Sequence, residues 1–196
     1  MINIGNIIQE NREREELHFD VSSGEELNRA IQAGYPRDQI VYNSGGISLE
    51  ATKMAVSYGI GRIIVYGPED LRMIEGVCKE KSQKANALLH ITTRENNLMH
   101  EFITKDNGDC NFELPQNPAL FSSVFRSLLC SQYVNLLGFH FHMDSRFSDK
   151  ESCQNMTFAL RDLIHNLKQI YGFNTAELNI GGFRFRVSRD DSKHSS

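Results

Sequence analysis

The segment Asn135–Arg146, NLLGFHFHMDSR, combines strand-forming residues with three side chains that could do chemistry. His140, His142 and Asp144 are spaced by two, and because side chains alternate across a strand we expect all three on one face. The phenylalanines that alternate with them would occupy the other face and pack against a covering layer. Imidazole and carboxylate groups turned toward an interior need partners there, so the pattern predicts a strand that contributes to a binding or catalytic site.

Strand and helix patterns alternate along the rest of the chain. Hydroxyl residues at Ser22, Ser23 and Ser48 precede the first two amphipathic segments and are expected to cap helices. The clearest amphipathic helix covers Glu151–Tyr171. One helix between successive strands calls for right-handed crossovers and a parallel sheet covered by helices. The six predicted strands are His18–Val21, Gln39–Asn43, Arg62–Tyr66, Ala87–Thr92, the segment Asn135–Arg146 and Ala176–Ile180.

Two parallel architectures fit this alternation, an open doubly wound sheet and a (β/α)8 barrel. Neither a G-x-G-x-x-G fingerprint nor a P-loop is present in the sequence. In barrels the site is assembled from the carboxyl ends of several strands, and polar or glycine residues follow many of the predicted strands here. We therefore predict an α/β fold, a partial (β/α)8 TIM-like barrel of about six parallel strands alternating with helices. The residues at these strand ends are Asp20, Asn43, His90, Asp144, Ser145, Gly181 and Gly182.

Composition excludes several classes of protein. The net charge of −4 without a basic stripe argues against nucleic acid, and no apolar stretch is long enough to span a membrane. We expect a cytoplasmic protein with reduced cysteines, because the N-terminus is too polar for a signal peptide and no C-x-x-C pair occurs. Residues 1–187 are expected to form one barrel domain and 188–196 a polar, disordered tail. The long polar stretch Thr93–Pro115 is interpreted as a lid.

Three blocks of the sequence carry a resemblance. They are Phe19–Leu27 (FDVSSGEEL), Gly138–Arg146 (GFHFHMDSR) and Leu178–Phe183 (LNIGGF). In this order they resemble successive blocks of the fold-type-III, pyridoxal-phosphate-dependent amino-acid decarboxylases, with diaminopimelate decarboxylases the more similar branch and ornithine decarboxylases next. The resemblance implies the N-terminal barrel of the alanine racemase type, pyridoxal 5'-phosphate as cofactor, a basic or diamino acid as substrate, and a homodimer.

The same resemblance implies roles for individual residues. His142 matches the histidine that stacks on the pyridine ring of the cofactor, and Ser145 matches the hydroxyl that hydrogen-bonds its phosphate. Gly181-Gly182 matches the start of a glycine loop whose backbone N–H groups approach that phosphate. Asp20 matches an acidic residue near the catalytic lysine of the family, and Glu26 matches a carboxylate close by.

The sequence also departs from the family pattern. The family holds its cofactor on a lysine that precedes the first block, but no lysine precedes Asp20 here. Lys84 sits in a similar local motif just ahead of the fourth strand, too late in the chain to take that role. His90 stands where relatives have arginine, and Asp144 and Phe183 replace glycines of the family. The charge of Asp144 would be adverse beside a phosphate.

The resemblance implies that the six predicted strands correspond to the second to seventh strands of the eight-stranded family barrel. We therefore expect a fragment that lacks the covalent lysine and the C-terminal domain, is inactive alone, and has two unpaired sheet edges. Two other functions stay open: a non-catalytic relative that serves as pseudoenzyme or binding scaffold, and a metal-dependent barrel hydrolase using His140, His142 and Asp144. On the favoured interpretation His140 is a core or supporting histidine, and neither a catalytic residue nor a metal ligand is assigned.

Overall fold

The structure, a computed structural model, describes residues 18–91, 118–142 and 150–181. Six strands form one sheet in which the spatial order is the order along the chain. Every neighbouring pair is parallel, as the alternation of strands and helices predicted. The strands are β1 (Phe19–Val21), β2 (Ile40–Tyr42), β3 (Arg62–Val65), β4 (Ala85–Ile91), β5 (Val134–His142) and β6 (Glu177–Gly181).

Helices connect the strands and cover the convex face of the sheet. The predicted caps of the first two helices are present, because the hydroxyls of Ser23 and Ser48 accept from the N–H groups of Glu26 and Ala51, both at 3.2 Å. A short 3-10 turn before β2, at residues 37–39, was not predicted. The helices are α1 (Gly24–Gln32), α2 (Leu49–Tyr58), α3 (Pro68–Lys81), α4 (Pro118–Cys130) and α5 (Lys150–Tyr171).

The main core lies between the sheet and these helices. Phe139 and Phe141 of β5 are fully buried in it, and Phe125 of α4 packs against Phe139 with ring centroids 6.1 Å apart. His140 lies on the opposite, concave face and is 0% exposed. The two-faced pattern predicted for this strand is therefore confirmed, with phenylalanines toward the helices and histidine toward the interior.

The concave face has an apolar layer of its own, formed by Val41, Ile64 and Leu88. Near the amino ends of the strands, the Arg62 Nε donates to both carboxylate oxygens of Glu177, at 2.9 and 2.7 Å, and so joins β3 to β6 across the interior. His18, directly before β1, has its Nδ1 3.9 Å from the same carboxylate. A flat sheet could not bring these strands together, so the sheet is curled, and the predicted partial barrel is confirmed over the open doubly wound sheet.

A β-bulge in β5 was not predicted. The register between β4 and β5 shifts after Ala87, which leaves Leu137 as the extra residue and turns its side chain toward the concave face. Beside it, Gly138 comes so close to β6 that an added Cβ would lie 1.9 Å from the carbonyl oxygen of Glu177. Glycine is therefore required there by the approach of the neighbouring backbone.

Two interpretations made from the sequence fall on other parts of the chain. The stretch Thr93–Pro115, interpreted as a lid, and the polar tail 188–196 lie outside the described residues. Within the described ranges, none of the helices combines the length and apolar character needed to cross a bilayer.

Candidate functional site

Each strand, or the residue directly after it, places a polar or aromatic side chain toward the concave face in the carboxyl half of the sheet. We call this set the interior polar layer; its members are Asp20, Asn43, Tyr66, His90, His140 and Asn179. Sequence patterns had singled out four of them, and the structure brings those four together. Tyr66 and Asn179 were missed as site residues, although Tyr66 follows β3 directly, just as Asn43 follows β2.

Asn43 lies at the centre of the layer and contacts three other members. Its Nδ2 is 3.3 Å from Oδ2 of Asp20 and 3.4 Å from Nε2 of His140. Its Oδ1 accepts a hydrogen bond of 2.6 Å from the hydroxyl of Tyr66. One amide thus connects side chains of β1 and β5 with the residue after β3.

The rings of the layer form a short stack. The centroids of Tyr66 and His90 are 4.4 Å apart, and those of His90 and His140 are 5.3 Å apart. The Nδ1 atoms of both histidines are buried, and no hydrogen-bond partner for them is found among the described residues. Buried polar atoms of this kind call for a specific explanation, such as a ligand or a water molecule.

Burial keeps these rings uncharged. The pKa of His140 is lowered by burial, against the opposing effect of the nearby Asp20 carboxylate. The pKa of Tyr66 is raised by burial and by the charges of Asp20 and Asp70, so the phenol remains protonated and donates to Asn43. The layer therefore combines neutral aromatic groups with one carboxylate, that of Asp20.

Local backbone contacts fix the residues at the strand ends. The N–H of Asn43 donates to the carbonyl of Val21 at 2.8 Å, which continues the pairing of β1 and β2 by one residue. The N–H of Tyr66 donates to Oδ2 of Asp70, in the first turn of α3, also at 2.8 Å. The backbone at both residues is thus fixed by hydrogen bonds, and the capping contact with Asp70 sets the position of Tyr66.

Glu26, a carboxylate named by the family resemblance, has a capping role in the structure. It accepts from the backbone N–H and the hydroxyl of Ser22, at 2.7 and 2.8 Å. These two hydrogen bonds lower the pKa of its carboxyl group. Its carboxylate therefore stabilises the beginning of α1 and lies at the surface.

His142 and Gly181 form the rim of the site. The two residues are paired in register at the carboxyl ends of β5 and β6, and the histidine side chain is exposed there. His142 projects from the same face of β5 as the buried His140 below it. Asp144, Ser145 and Gly182, which the resemblance also names, lie outside the described residues.

Two further features bear on the alternatives. Across the described residues, no group of three His, Cys, Asp or Glu side chains is placed to share a metal ion, so the hydrolase alternative gains no support from them. Lys84 is exposed at the amino end of β4, the opposite end of the strand from the interior polar layer.

A pH dependence of stability follows from His90. Burial, followed by the neighbouring His140 and His142, lowers the pKa of His90 from 6.5 to about 4. Below pH 6.5 the unfolded chain therefore binds a proton at this residue that the folded chain excludes until about pH 4. We expect His90 to reduce the free energy of unfolding by about 1.4 kcal/mol per pH unit in this window, or about 3 kcal/mol in total.

Urea unfolding of the wild type and of His90→Gln between pH 7 and pH 4 tests this expectation, because other groups contribute equally to both curves. The difference between the two should grow as the pH falls below 6.5. His165→Gln is the matched control, since that histidine is exposed on α5. Parallel curves for wild type and His90→Gln would show that His90 titrates alike in the folded and unfolded chains.

Comparison with known proteins places this geometry in a family. The family model described as pyridoxal-dependent decarboxylase, pyridoxal binding domain, matches residues 7–195. Diaminopimelate decarboxylase of Bacillus subtilis (strain 168) is 30% identical over 180 residues, which are 91% of this chain and 41% of that enzyme. The enzyme of the same name from Bacillus methanolicus is 30% identical over 183 residues, 91% of this chain and 42% of its own. The chain thus spans about two fifths of the length of these relatives.

Solved structures agree with the fold. Diaminopimelate decarboxylase from M. jannaschii, in co-complex with L-lysine, superimposes with a TM-score of 0.68 at 27% identity, over 82% of this chain and 37% of that one. Alanine racemase from Clostridium difficile 630 superimposes with a TM-score of 0.67 at 17% identity, over 91% of this chain and 42% of that one, which shows a shared fold. The resemblance stated from the three sequence blocks is confirmed: the chain belongs to the pyridoxal-dependent decarboxylases and corresponds to their pyridoxal binding domain.

Proposed function

We propose that this chain supplies the cofactor-binding barrel wall of a pyridoxal-phosphate-dependent decarboxylase acting on a diamino acid of the diaminopimelate type. The observation that carries the proposal is the pairing of His142 with Gly181 at the carboxyl ends of β5 and β6. A flat imidazole and a residue without a side chain then stand next to each other at the rim of the interior polar layer. The substrate class is supported by the names of the curated relatives and by the L-lysine complex of the M. jannaschii enzyme.

The described residues fit a planar, phosphorylated cofactor. His142 offers an exposed ring face, and Gly181 begins a segment in which missing Cβ atoms allow backbone N–H groups to approach an anion. The Nδ1 atoms of His90 and His140, which have no hydrogen-bond partner among the described residues, lie below this rim and are suited to polar groups of a ligand or to water. In this proposal Ser145 and Gly182 complete the phosphate contacts, and Asp20 is the acidic residue of the site.

The bound cofactor would supply an electron sink for the charge left when CO2 departs from the substrate. The chain's own residues would bind and orient it: His142 against the ring, Gly181-Gly182 and Ser145 at the phosphate. Asp20, held by Asn43 at 3.3 Å, would keep one fixed carboxylate facing the reacting groups. None of the six described strands contains a lysine, so we expect this chain to hold the cofactor reversibly.

Two neighbouring residues should change the affinity in opposite directions. Ser145→Ala removes a hydrogen bond to a charged phosphate, worth about 1.5–3 kcal/mol, and should weaken pyridoxal 5'-phosphate binding roughly tenfold or more. Asp144→Gly removes a negative charge close to that phosphate and should tighten binding about fivefold. Equilibrium dialysis of the 196-residue chain with pyridoxal 5'-phosphate measures both effects.

The control for the charge change is Asp162→Asn, which removes the same charge from an exposed position on α5 and should leave the affinity unchanged. If the wild type binds the cofactor and neither Ser145→Ala nor Asp144→Gly alters the affinity, the phosphate is bound elsewhere. Absence of measurable binding by the wild type would contradict the proposal for this chain as a whole.

Two further parts of the proposal concern assembly and location. We propose that the chain associates as a homodimer, as the family resemblance implies, and sedimentation of the purified chain tests this. We also propose a cytoplasmic location, which is supported by the free thiols of Cys78 and Cys130.

A further inference from the structure

The orientation of the Asn43 amide is determined by its neighbours. Amide oxygen and nitrogen look alike in outline, so their assignment has to follow from the hydrogen-bond network. The carboxylate of Asp20, 3.3 Å away, can only accept, and the atom facing it must therefore be the donor Nδ2. Tyr66, whose hydroxyl is a donor, then meets Oδ1 at 2.6 Å, so both contacts require the same orientation.

This orientation decides the tautomer of His140. The atom of Asn43 that faces Nε2 of His140, at 3.4 Å, is again Nδ2, which carries two hydrogens and no lone pair able to accept. Nε2 must therefore act as the acceptor. In a neutral imidazole the proton is then on Nδ1, the atom that is buried without a hydrogen-bond partner among the described residues.

We propose that Asn43 is a positioning residue: it locks His140 in the tautomer protonated at Nδ1 and thereby fixes the ring that lies beneath His142 at the cofactor rim. The contact runs from the residue after β2 to β5, and these two strands are not neighbours in the sheet. It restrains β5, the strand that presents His142, from the concave face, opposite the face that the described helices cover. His140 is paired in register with Asn179, and the next pair along the same face is His142 with Gly181. The effect on the cofactor rests on the proposed function, whereas the tautomer does not.

The tautomer can be observed directly in the full chain labelled with 15N-histidine. At neutral pH we expect Nε2 of His140 to resonate as an unprotonated, pyridine-type nitrogen and Nδ1 as a protonated, pyrrole-type nitrogen. Asn43→Asp is nearly isosteric but replaces the donor by an acceptor, so Nε2 should become protonated and change to the pyrrole type. Asn43→Ala removes the donor and should give averaged shifts of both nitrogens, because the two tautomers then exchange.

Asn135→Asp is the matched control. It makes the same chemical change, from Asn to Asp, on the strand that carries His140. Asn135 lies at the amino end of that strand, where its Nδ2 donates to Oδ1 of Asn86 at 3.1 Å. The His140 resonances should keep their wild-type positions in this variant. A wild-type spectrum with Nε2 protonated, or an Asn43→Asp spectrum with Nε2 still of the pyridine type, would overturn the proposal. The wild-type spectrum decides the tautomer even where a variant does not fold.

Cofactor affinity tests the positioning role separately. Equilibrium dialysis with pyridoxal 5'-phosphate should show binding weakened about tenfold by Asn43→Ala and unchanged by Asn135→Asp. Equal affinities of wild type and Asn43→Ala would refute the positioning role, whatever the tautomer. Should the wild type not bind the cofactor at all, the proposed function fails, while the nitrogen shifts still confirm or refute the lock on His140.

Discussion

Replacing Gly138 with alanine is expected to lower the free energy of unfolding by about 3 kcal/mol, the upper part of the usual range for overpacked sites. The added Cβ would meet the carbonyl oxygen of Glu177 at 1.9 Å and its carbonyl carbon at 2.9 Å. Both atoms belong to the backbone of β6, which cannot turn away as a flexible side chain could. This clash can be relieved only if β5 and β6 move apart beside the bulge.

Thermal and urea unfolding followed by circular dichroism measure this effect. For a chain of this size a loss of about 3 kcal/mol corresponds to a Tm lower by about 6–12 °C. Gly76→Ala is the matched control, because Gly76 lies within α3 and an added Cβ there meets nothing within 4 Å. It should stabilise the chain by about 0.5–1 kcal/mol. A Gly138→Ala chain as stable as the wild type would show that β5 and β6 are further apart in solution.

Loss of the ion pair between Arg62 and Glu177 should also destabilise the chain. Their side chains are only 19% and 16% exposed, and the arginine Nε donates to both carboxylate oxygens. Arg62→Ala would leave this carboxylate in the interior, where the other described basic group near it is His18, at 3.9 Å. We expect the free energy of unfolding to fall by about 2–3 kcal/mol, since a charged hydrogen bond is lost and its partner stays desolvated.

Arg72→Ala is the control for this second prediction. Arg72 pairs with Glu69 on the surface of α3, where the two side chains are 70% and 87% exposed, and its loss should change stability by no more than about 0.5 kcal/mol. In a double-mutant cycle, Arg62→Ala combined with Glu177→Ala should cost less than the sum of the single changes. Strict additivity of the two would indicate that the pair contributes no coupling energy to the curl of the sheet.

Local patterns were sufficient to predict the strands and their two faces. Phe139 and His140 could be assigned to opposite sides of β5 because alternation depends only on neighbouring residues. The polar residues at strand ends were recognisable for the same reason, since Asp20 and Asn43 each adjoin a short apolar run. Parallel pairing then followed from the regular alternation of strands and helices, and the polar residues at many strand ends favoured a barrel.

Local sequence patterns could not predict the contacts between distant parts of the chain. Arg62 resembles any charged residue at the start of a strand, and its partner Glu177 is 115 residues away. The bulge at Leu137 depends on the register of β4, which the sequence of β5 alone does not reveal. Asn43 was recognised as a strand-end polar residue, but its three partners come from three other parts of the chain.

The arrangement of strands also bears on how the chain folds as it is synthesised. Each strand pairs with its neighbours in sequence, so a newly made strand can join the growing edge as soon as it leaves the ribosome. The curl of the sheet cannot form strand by strand in this way, because it depends on contacts between residues that are 97 and 115 positions apart. Until β5 and β6 have been made, the apolar layer of Val41, Ile64 and Leu88 faces water. We therefore expect closure of the nascent sheet and assembly of its interior polar layer to occur together, after β5 and β6 have been made.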